Sequence, residues 1–233
     1  MTIRSIINKL VGYEAKRKRL LQRAPQGPLR DYLSVPFPNL KTSMNKLSIL
    51  AVDFETTGLD AKADKLLSVG FVEIEHEQIK LNSCYHQIIN AEAKLEESNV
   101  IVHHITDTQK EQGQPLHIVV EQLLKALAGK VMLVHFARIE RQFLQQACYE
   151  LYGLAPDFPM IDTLVIAKRQ LDKRDVAYDP SELRLSSLRH KYKLPDHHGH
   201  NALNDAIATA ELLLAQMCNK AKADKIQLND IIL

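Results

Sequence analysis

The stretch that most constrains this chain is Ile49-Leu50-Ala51-Val52-Asp53-Phe54-Glu55-Thr56-Thr57-Gly58-Leu59-Asp60. An apolar, β-prone run delivers two carboxylates at positions i and i+2, then breaks at Thr-Thr-Gly. Side chains two apart on a strand share one face, so Asp53 and Glu55 point the same way while Phe54 is turned to the opposite side. Two anions that close repel unless a cation sits between them or one of them takes a proton. Hard oxygen ligands on a rigid strand suit Mg²⁺ or Mn²⁺. Taken alone, a bare Asp-x-Glu is more often a strand end with a solvated acidic face. The rest of the chain has to decide.

Three strand-like runs, 48–54, 66–74 and 79–89, come first. The short connection Glu75-His76-Glu77-Gln78 favours a hairpin between the second and third. Apolar residues 119, 120, 123, 124 and 127 mark an amphipathic helix that ends at Gly129. A short buried strand at 131–135 then leads into a helix over 139–148. Glu140 falls in the first turn of that helix, just past the strand's carboxyl end, where open α/β sheets put their sites. An acid there is equally what a helix dipole favours. Residues 160–164 are expected to start another helix with Asp162 as its N-cap, a structural role. A further helix is expected over 181–193, closed by Pro195. The last helix follows His197-His198-Gly199-His200-Asn201, with its apolar stripe at 203, 206, 207, 210, 213, 214 and 217. Asp205 lies off the strongest part of that stripe, near the helix start, and His200 sits at or just before the N-terminus.

The net charge of +2 conceals an asymmetry: residues 1–46 carry +8 and the remainder −6. A basic arm on an acidic body fits an anionic partner held near an acidic, metal-requiring site. Residues 1–24 have helical apolar spacing around Lys16-Arg17-Lys18-Arg19, which suits either phosphate contact or a solvated flank that packs on the body. Pro25, Pro28, Pro36 and Pro38 make 25–46 an irregular connector. The expected organisation is a basic helical arm and connector at 1–46, one catalytic domain at 47–218 and a short tail at 219–233. Cys84, Cys148 and Cys218 are far apart and form no Cys-x-x-Cys pair, as expected of reduced core thiols. With no apolar run near 18 residues and no signal-peptide core, the expectation is a cytoplasmic protein without a membrane span.

Two motifs resemble the DEDDh class of 3′–5′ exonucleases, the family of the proofreading (epsilon) subunit of bacterial DNA polymerase III. They are Val52-Asp53-Phe54-Glu55-Thr56-Thr57-Gly58 and His200-Asn201-Ala202-Leu203-Asn204-Asp205-Ala206. Val102-His103-His104-Ile105-Thr106 resembles the family's His-Gly-Ile-Thr stretch near the nucleotide site. The second motif departs from the family's His-Asn-Ala-x-Phe-Asp: here it is His135-Phe136-Ala137-Arg138-Ile139-Glu140, with a carboxylate one methylene longer and the Asn lost. The resemblance covers about 47–217.

The resemblance implies an α/β, ribonuclease H-like mixed sheet, three antiparallel strands plus parallel strands, flanked by helices. It implies a two-metal phosphodiester hydrolase using Mg²⁺ or Mn²⁺, with Asp53, Glu55, Glu140 and Asp205 as metal ligands and His200 as general base. Histidine alone among these types ordinarily titrates near neutrality. The sister class uses Tyr four residues before the last Asp, where this chain has Asn201. Thr56, Thr57, the backbone near Gly58 and His103 are implied to hold the 3′-terminal nucleotide. The expected partner is single-stranded nucleic acid, DNA favoured over RNA. The alternatives are a 3′–5′ exoribonuclease of the ribonuclease T or oligoribonuclease kind, and a weakly catalytic nucleic-acid-binding relative. Residues 226–233 do not resemble a long tail for docking a polymerase.

Overall fold

The computed structural model describes residues 3–90, 107–173, 177–218 and 226–233, with side chains described from residue 12 onward except at Asp107. Its strands are β1 (Ile49–Thr56), β2 (Leu66–Glu75), β3 (Gln78–Ile88), β4 (Val131–Val134) and β5 (Met160–Asp162). Its helices are α1 (Ile3–Arg23), α2 (Pro28–Ser34), α3 (Asp107–Glu111), α4 (Leu116–Leu127), α5 (Arg138–Tyr152), α6 (Thr163–Asp172), α7 (Leu185–Lys191), α8 (Ala202–Cys218) and α9 (Leu228–Ile231). The strands make one sheet in the order β3-β2-β1-β4-β5. β1, β2 and β3 run antiparallel in sequence order, while β4 is parallel to β1 and β5 to β4. This is the mixed sheet the motifs imply. The β2–β3 turn is made by His76 and Glu77 at φ 51° and 59°. Both occupy the left-handed region, the geometry whose twist matches the flanking strands.

Alternation along β1 divides the core in two. Leu50, Val52 and Phe54 face one way and pack with Val69, Phe71, Val120, Leu123, Phe143 and Leu144, beneath α4 and α5. Ile49 and Ala51 face the other way and pack with Val72, Leu133, Ala210 and Leu213, beneath α8. Asp53 and Glu55 continue that second row. The pleat alone therefore delivers both carboxylates to the side of the sheet where α8 lies.

Several expectations need correction. The connector at 25–46 is not irregular throughout, because α2 forms within it. Pro28 opens α2 as its first residue, a position where the missing N–H costs nothing. Leu29, Tyr32 and Leu33 of α2 are buried in the main core, each contributing roughly 1.5–3 kcal/mol. Met160 and Ile161 belong to a strand paired with Met132 and Leu133; so short an apolar run has no period to distinguish strand from helix. The helix expected over 181–193 is split. Asp179 and Glu182 form a capping box on a 3-10 turn over Pro180–Leu183, and Arg184 is extended before α7 begins. Within the expected tail, Ile161 bridges Ile232, and Leu228 and Ile231 are buried, so 226–233 is built into the body.

Along the basic arm, packing engages part of the charge. Arg17 is 5% exposed; it donates to the Leu33 carbonyl and to Glu14 and lies over the Phe37 ring. Arg30 Nη1 donates to the carbonyls of Leu21 and Ala24 at 3.2 and 3.1 Å, closing the end of α1. Lys16 pairs with Asp157 at 2.9 Å. Cys148 is buried, Cys84 half-buried and Cys218 exposed, and all three are free thiols. Among the described residues no helix is long and apolar enough to cross a membrane.

Candidate active site

The acidic pocket is assembled where β1 ends. The β1–β2 ladder keeps register as far as Glu55 opposite Ser68 and slips between Glu55 and Thr56. A bulge there passes over Leu67 of β2, and pairing resumes with Thr56 opposite Leu66, so the ladder is kinked directly after the second carboxylate. Across the ladder Asp53 faces Gly70. A Cβ on Gly70 would fall 2.2 Å from the carbonyl carbon of Ala202 and the amide of Leu203. The start of α8 therefore rests on bare β2 backbone, and Asp205, in the helix's first turn, reaches the carboxylates of β1. One carboxylate oxygen from each of Asp53, Glu55 and Asp205 lies within 4.8 Å of the other two.

Glu140 approaches from the β4–α5 turn. It is 4% exposed and its Oε2 has no hydrogen-bond partner. Burial pushes its carboxyl up to about 8, and the charge of Asp162 adds to this. Burial also holds Asp53 well above the usual carboxylate range, reinforced by the charges of Glu140, Asp205 and Glu55. Such a group of carboxylates is costly as it stands and is relieved by protonation or by a divalent cation. The donor set is all hard oxygen, and a buried carboxylate oxygen lacks a partner. The residues fit a hard divalent cation.

Asp205 is held by the loop before α8. His197 Nε2 lies 2.9 Å from Asp205 Oδ1, and the His200 backbone N–H donates to Oδ2 at 2.8 Å. His200 itself stands at φ 63° and is exposed. The imidazole on Asp205 is thus that of His197, while His200 contributes its main chain. Buried Arg189 fixes this loop to the helix: Nη2 donates to the Pro195 carbonyl and Nη1 to the Ala208 carbonyl, both at 2.8 Å, and Nη1 also pairs with Glu211 at 2.7 Å.

Other motif residues do architectural work. His135 bridges Thr163 Oγ1 at 2.7 Å and the Leu183 carbonyl at 3.0 Å, and burial lowers its pKa. Asp162 caps α6 as expected, accepting from the amides of Leu164 and Val165. It also accepts from the amides of Phe136 and Ala137, which fixes the turn that presents Glu140. Thr56 Oγ1 donates to the Gly58 carbonyl at 2.7 Å. Thr57 Oγ1 donates to Asp64 Oδ1 at 3.2 Å and accepts from the Lys65 amide at 2.9 Å. A Cβ on Gly58 would fall 2.5 Å from the Asp64 carboxylate, so Asp64 shapes the whole Thr-Thr-Gly loop. His103 and the stretch around it lie outside the described residues.

Sequence reasoning missed Gly70, His197, Arg189 and Asp64. Only Gly70 carried a readable signal, since a glycine inside a strand pattern marks a close backbone approach.

The family described as Exonuclease matches residues 50–213. The DNA polymerase III PolC-type protein of Thermotoga petrophila is 30% identical over 175 residues, 74% of this chain and 12% of that protein. The 3′–5′ exonuclease DinG of Staphylococcus haemolyticus is 25% identical over 172 residues, 73% of this chain and 18% of that protein. The chain thus spans a small fraction of the length of these relatives. The nuclease domain of 3′hExo, a DEDDh family member solved bound to rAMP, shares the fold with a TM-score of 0.63 at 16% identity, covering 78% of this chain and 96% of that one.

Proposed function

Because the chain belongs to the Exonuclease family, we propose that it is a metal-dependent 3′–5′ exonuclease acting on the 3′ ends of single-stranded DNA and releasing nucleoside 5′-monophosphates. The observation that carries this reading is the convergence of Asp53, Glu55 and Asp205, from a strand and a distant helix, within one ion's reach. Asp53, Glu55 and Asp205 would hold Mg²⁺ or Mn²⁺, with Glu140 completing a two-ion site. Two such ions would supply a nucleophile at neutral pH and neutralise charge on the phosphate.

The chain's own residues do the rest. His200, on the exposed turn before α8, is the general base that takes the proton of the attacking water. His197 keeps the Asp205 carboxylate turned toward β1, as an outer partner that orients a ligand. The Thr56-Thr57-Gly58 loop, braced by Asp64, receives the terminal nucleotide beside Asp53, together with His103. Single-strand binding through stacking and backbone charge carries little sequence preference.

A second reading is a 3′–5′ exoribonuclease, favoured by the rAMP held in the DEDDh neighbour. Matched 3′-labelled DNA and RNA oligomers, digested side by side while Mg²⁺ or Mn²⁺ is titrated, separate the two. Faster release of deoxynucleotides supports the first reading and faster release of ribonucleotides the second. Activity that survives excess EDTA, or no turnover of either strand, refutes both.

A further inference from the structure

The outer face of α5 carries a groove that the acidic pocket does not use. Arg138, Arg141, Gln142, Gln145 and Tyr149 recur at helical spacing and line two adjoining hollows of about 580 and 680 Å³, which share Arg138 and Gln142. One hollow reaches Leu59, just beyond the Thr-Thr-Gly loop. The other continues to Arg169 of α6 and Tyr13 of α1. Among the described residues, the guanidinium groups of Arg138, Arg141 and Arg169 have no ion-pair or hydrogen-bond partner, whereas Arg17, Arg30 and Arg189 are all engaged. The one acidic side chain lining the arginine-rich hollow, Asp162, is turned to four backbone amides. Phe136 and Tyr149 are 45% and 59% exposed. Phe136 is held outward at φ 75°, a conformation a bulky residue seldom adopts.

Unpaired arginines interleaved with exposed rings are the chemistry that follows a single strand, with guanidinium groups on phosphates and rings under bases. An acidic peptide would answer the arginines but leave Phe136 and Tyr149 without flat partners. We propose that this groove is the track for the body of a single-stranded nucleic acid whose 3′ end occupies the acidic pocket. This rests on the nuclease reading for the placement of the 3′ end only. The strand leaves the pocket at the first turn of α5, where Glu140 is buried and Arg138, two residues away and so on the opposite side of the helix, is exposed.

The test is the full chain with Arg138→Gln, Arg141→Gln and Arg169→Gln combined, measured in EDTA so that binding is read without turnover. Fluorescence anisotropy with labelled dT and U oligomers of about 15 nucleotides gives affinity as a function of salt. The triple variant is expected to bind at least about tenfold more weakly at low salt, with the log–log salt slope smaller by about 2, roughly 0.7 for each lost phosphate contact. Phe136→Ala is expected to weaken binding by roughly tenfold with the salt slope unchanged. Hydrolysis of a dinucleotide in Mn²⁺, too short to enter the groove, stays at the wild-type rate in the triple variant. Weaker binding of dT alone or of U alone identifies which strand the groove takes. Unaltered affinity and slope overturn the proposal, as does an equal loss on the dinucleotide. An oligoglutamate that binds as tightly, with the same dependence on Phe136, also overturns it, in favour of an acidic protein. A wild-type chain that binds through the groove but hydrolyses nothing refutes the nuclease reading and leaves the groove standing.

Discussion

The acidic pocket and the arginine groove meet at the first turn of α5 and treat like charge in opposite ways. In the pocket, carboxylates are pressed together and buried until Asp53 and Glu140 hold protons that free side chains would have released. In the groove, Arg138, Arg141 and Arg169 line an open surface where water screens their mutual repulsion. Buried repulsion is strong and can be relieved only by a small cation or a proton. Solvated repulsion costs little and draws in a long flexible polyanion. The pocket thus suits a point charge and the groove a line of charge, and the two together match the proposed substrate, with its reacting end and trailing body.

Removing one member of the pocket should produce the largest effect. Asp53→Ala is expected to lower oligomer hydrolysis on the order of 10³-fold while oligomer binding in EDTA is kept. Loss of binding in the same variant would show that the two regions are not separable. Next comes the stored repulsion itself. Because Glu140 is raised from 4.5 to about 8, the folded chain binds a proton there that the unfolded chain has already released. The Glu140 contribution to metal-free stability should therefore be full below about 4.5 and be lost as pH rises toward about 8. Glu140→Gln should remove that fall, on the order of 5 kcal/mol, as read from urea denaturation in EDTA across pH. A wild-type profile that is flat over this range contradicts the assignment.

A smaller effect is expected where the pocket's spacing is set. Gly70→Ala should push the start of α8 away from β2, separating Asp205 from Asp53, and lower hydrolysis about 100-fold, the scale of a 1 Å misplacement. Circular dichroism should still report a folded chain, and a wild-type rate would show that the helix has slack. The smallest effect should come from the arm. Lys16 is already paired with Asp157, so Lys16→Ala should change oligomer affinity by less than about twofold. A larger loss would extend the groove's chemistry onto α1.

How much of this was legible in the sequence follows from the range of the interaction concerned. Asp53 and Glu55 announced themselves because a strand's period of two is local. Glu140 and Asp205 did so because strand-to-helix steps and helix starts are local as well. The sheet order followed from the same elements taken together with the motif resemblance. The contact between Gly70 and Ala202 was not legible as a pairing, since it joins segments far apart in the chain. His197 and His200 stand in one histidine-rich loop, and the sequence does not say that it is the former's ring that lies on Asp205. Pro28 was taken for a breaker because a proline that starts a helix and one that ends it look alike until the buried face of Leu29, Tyr32 and Leu33 is known.

The bare contact under α8 has a wider consequence. Between most helices and sheets lies a cushion of side chains that can trade a methyl group here for one there and so let the spacing drift over generations. At Gly70 there is no cushion, and the separation of the carboxylates is inherited from the thickness of two peptide backbones. Drift in the surrounding core should therefore alter how firmly the chain folds long before it alters the spacing of the carboxylates.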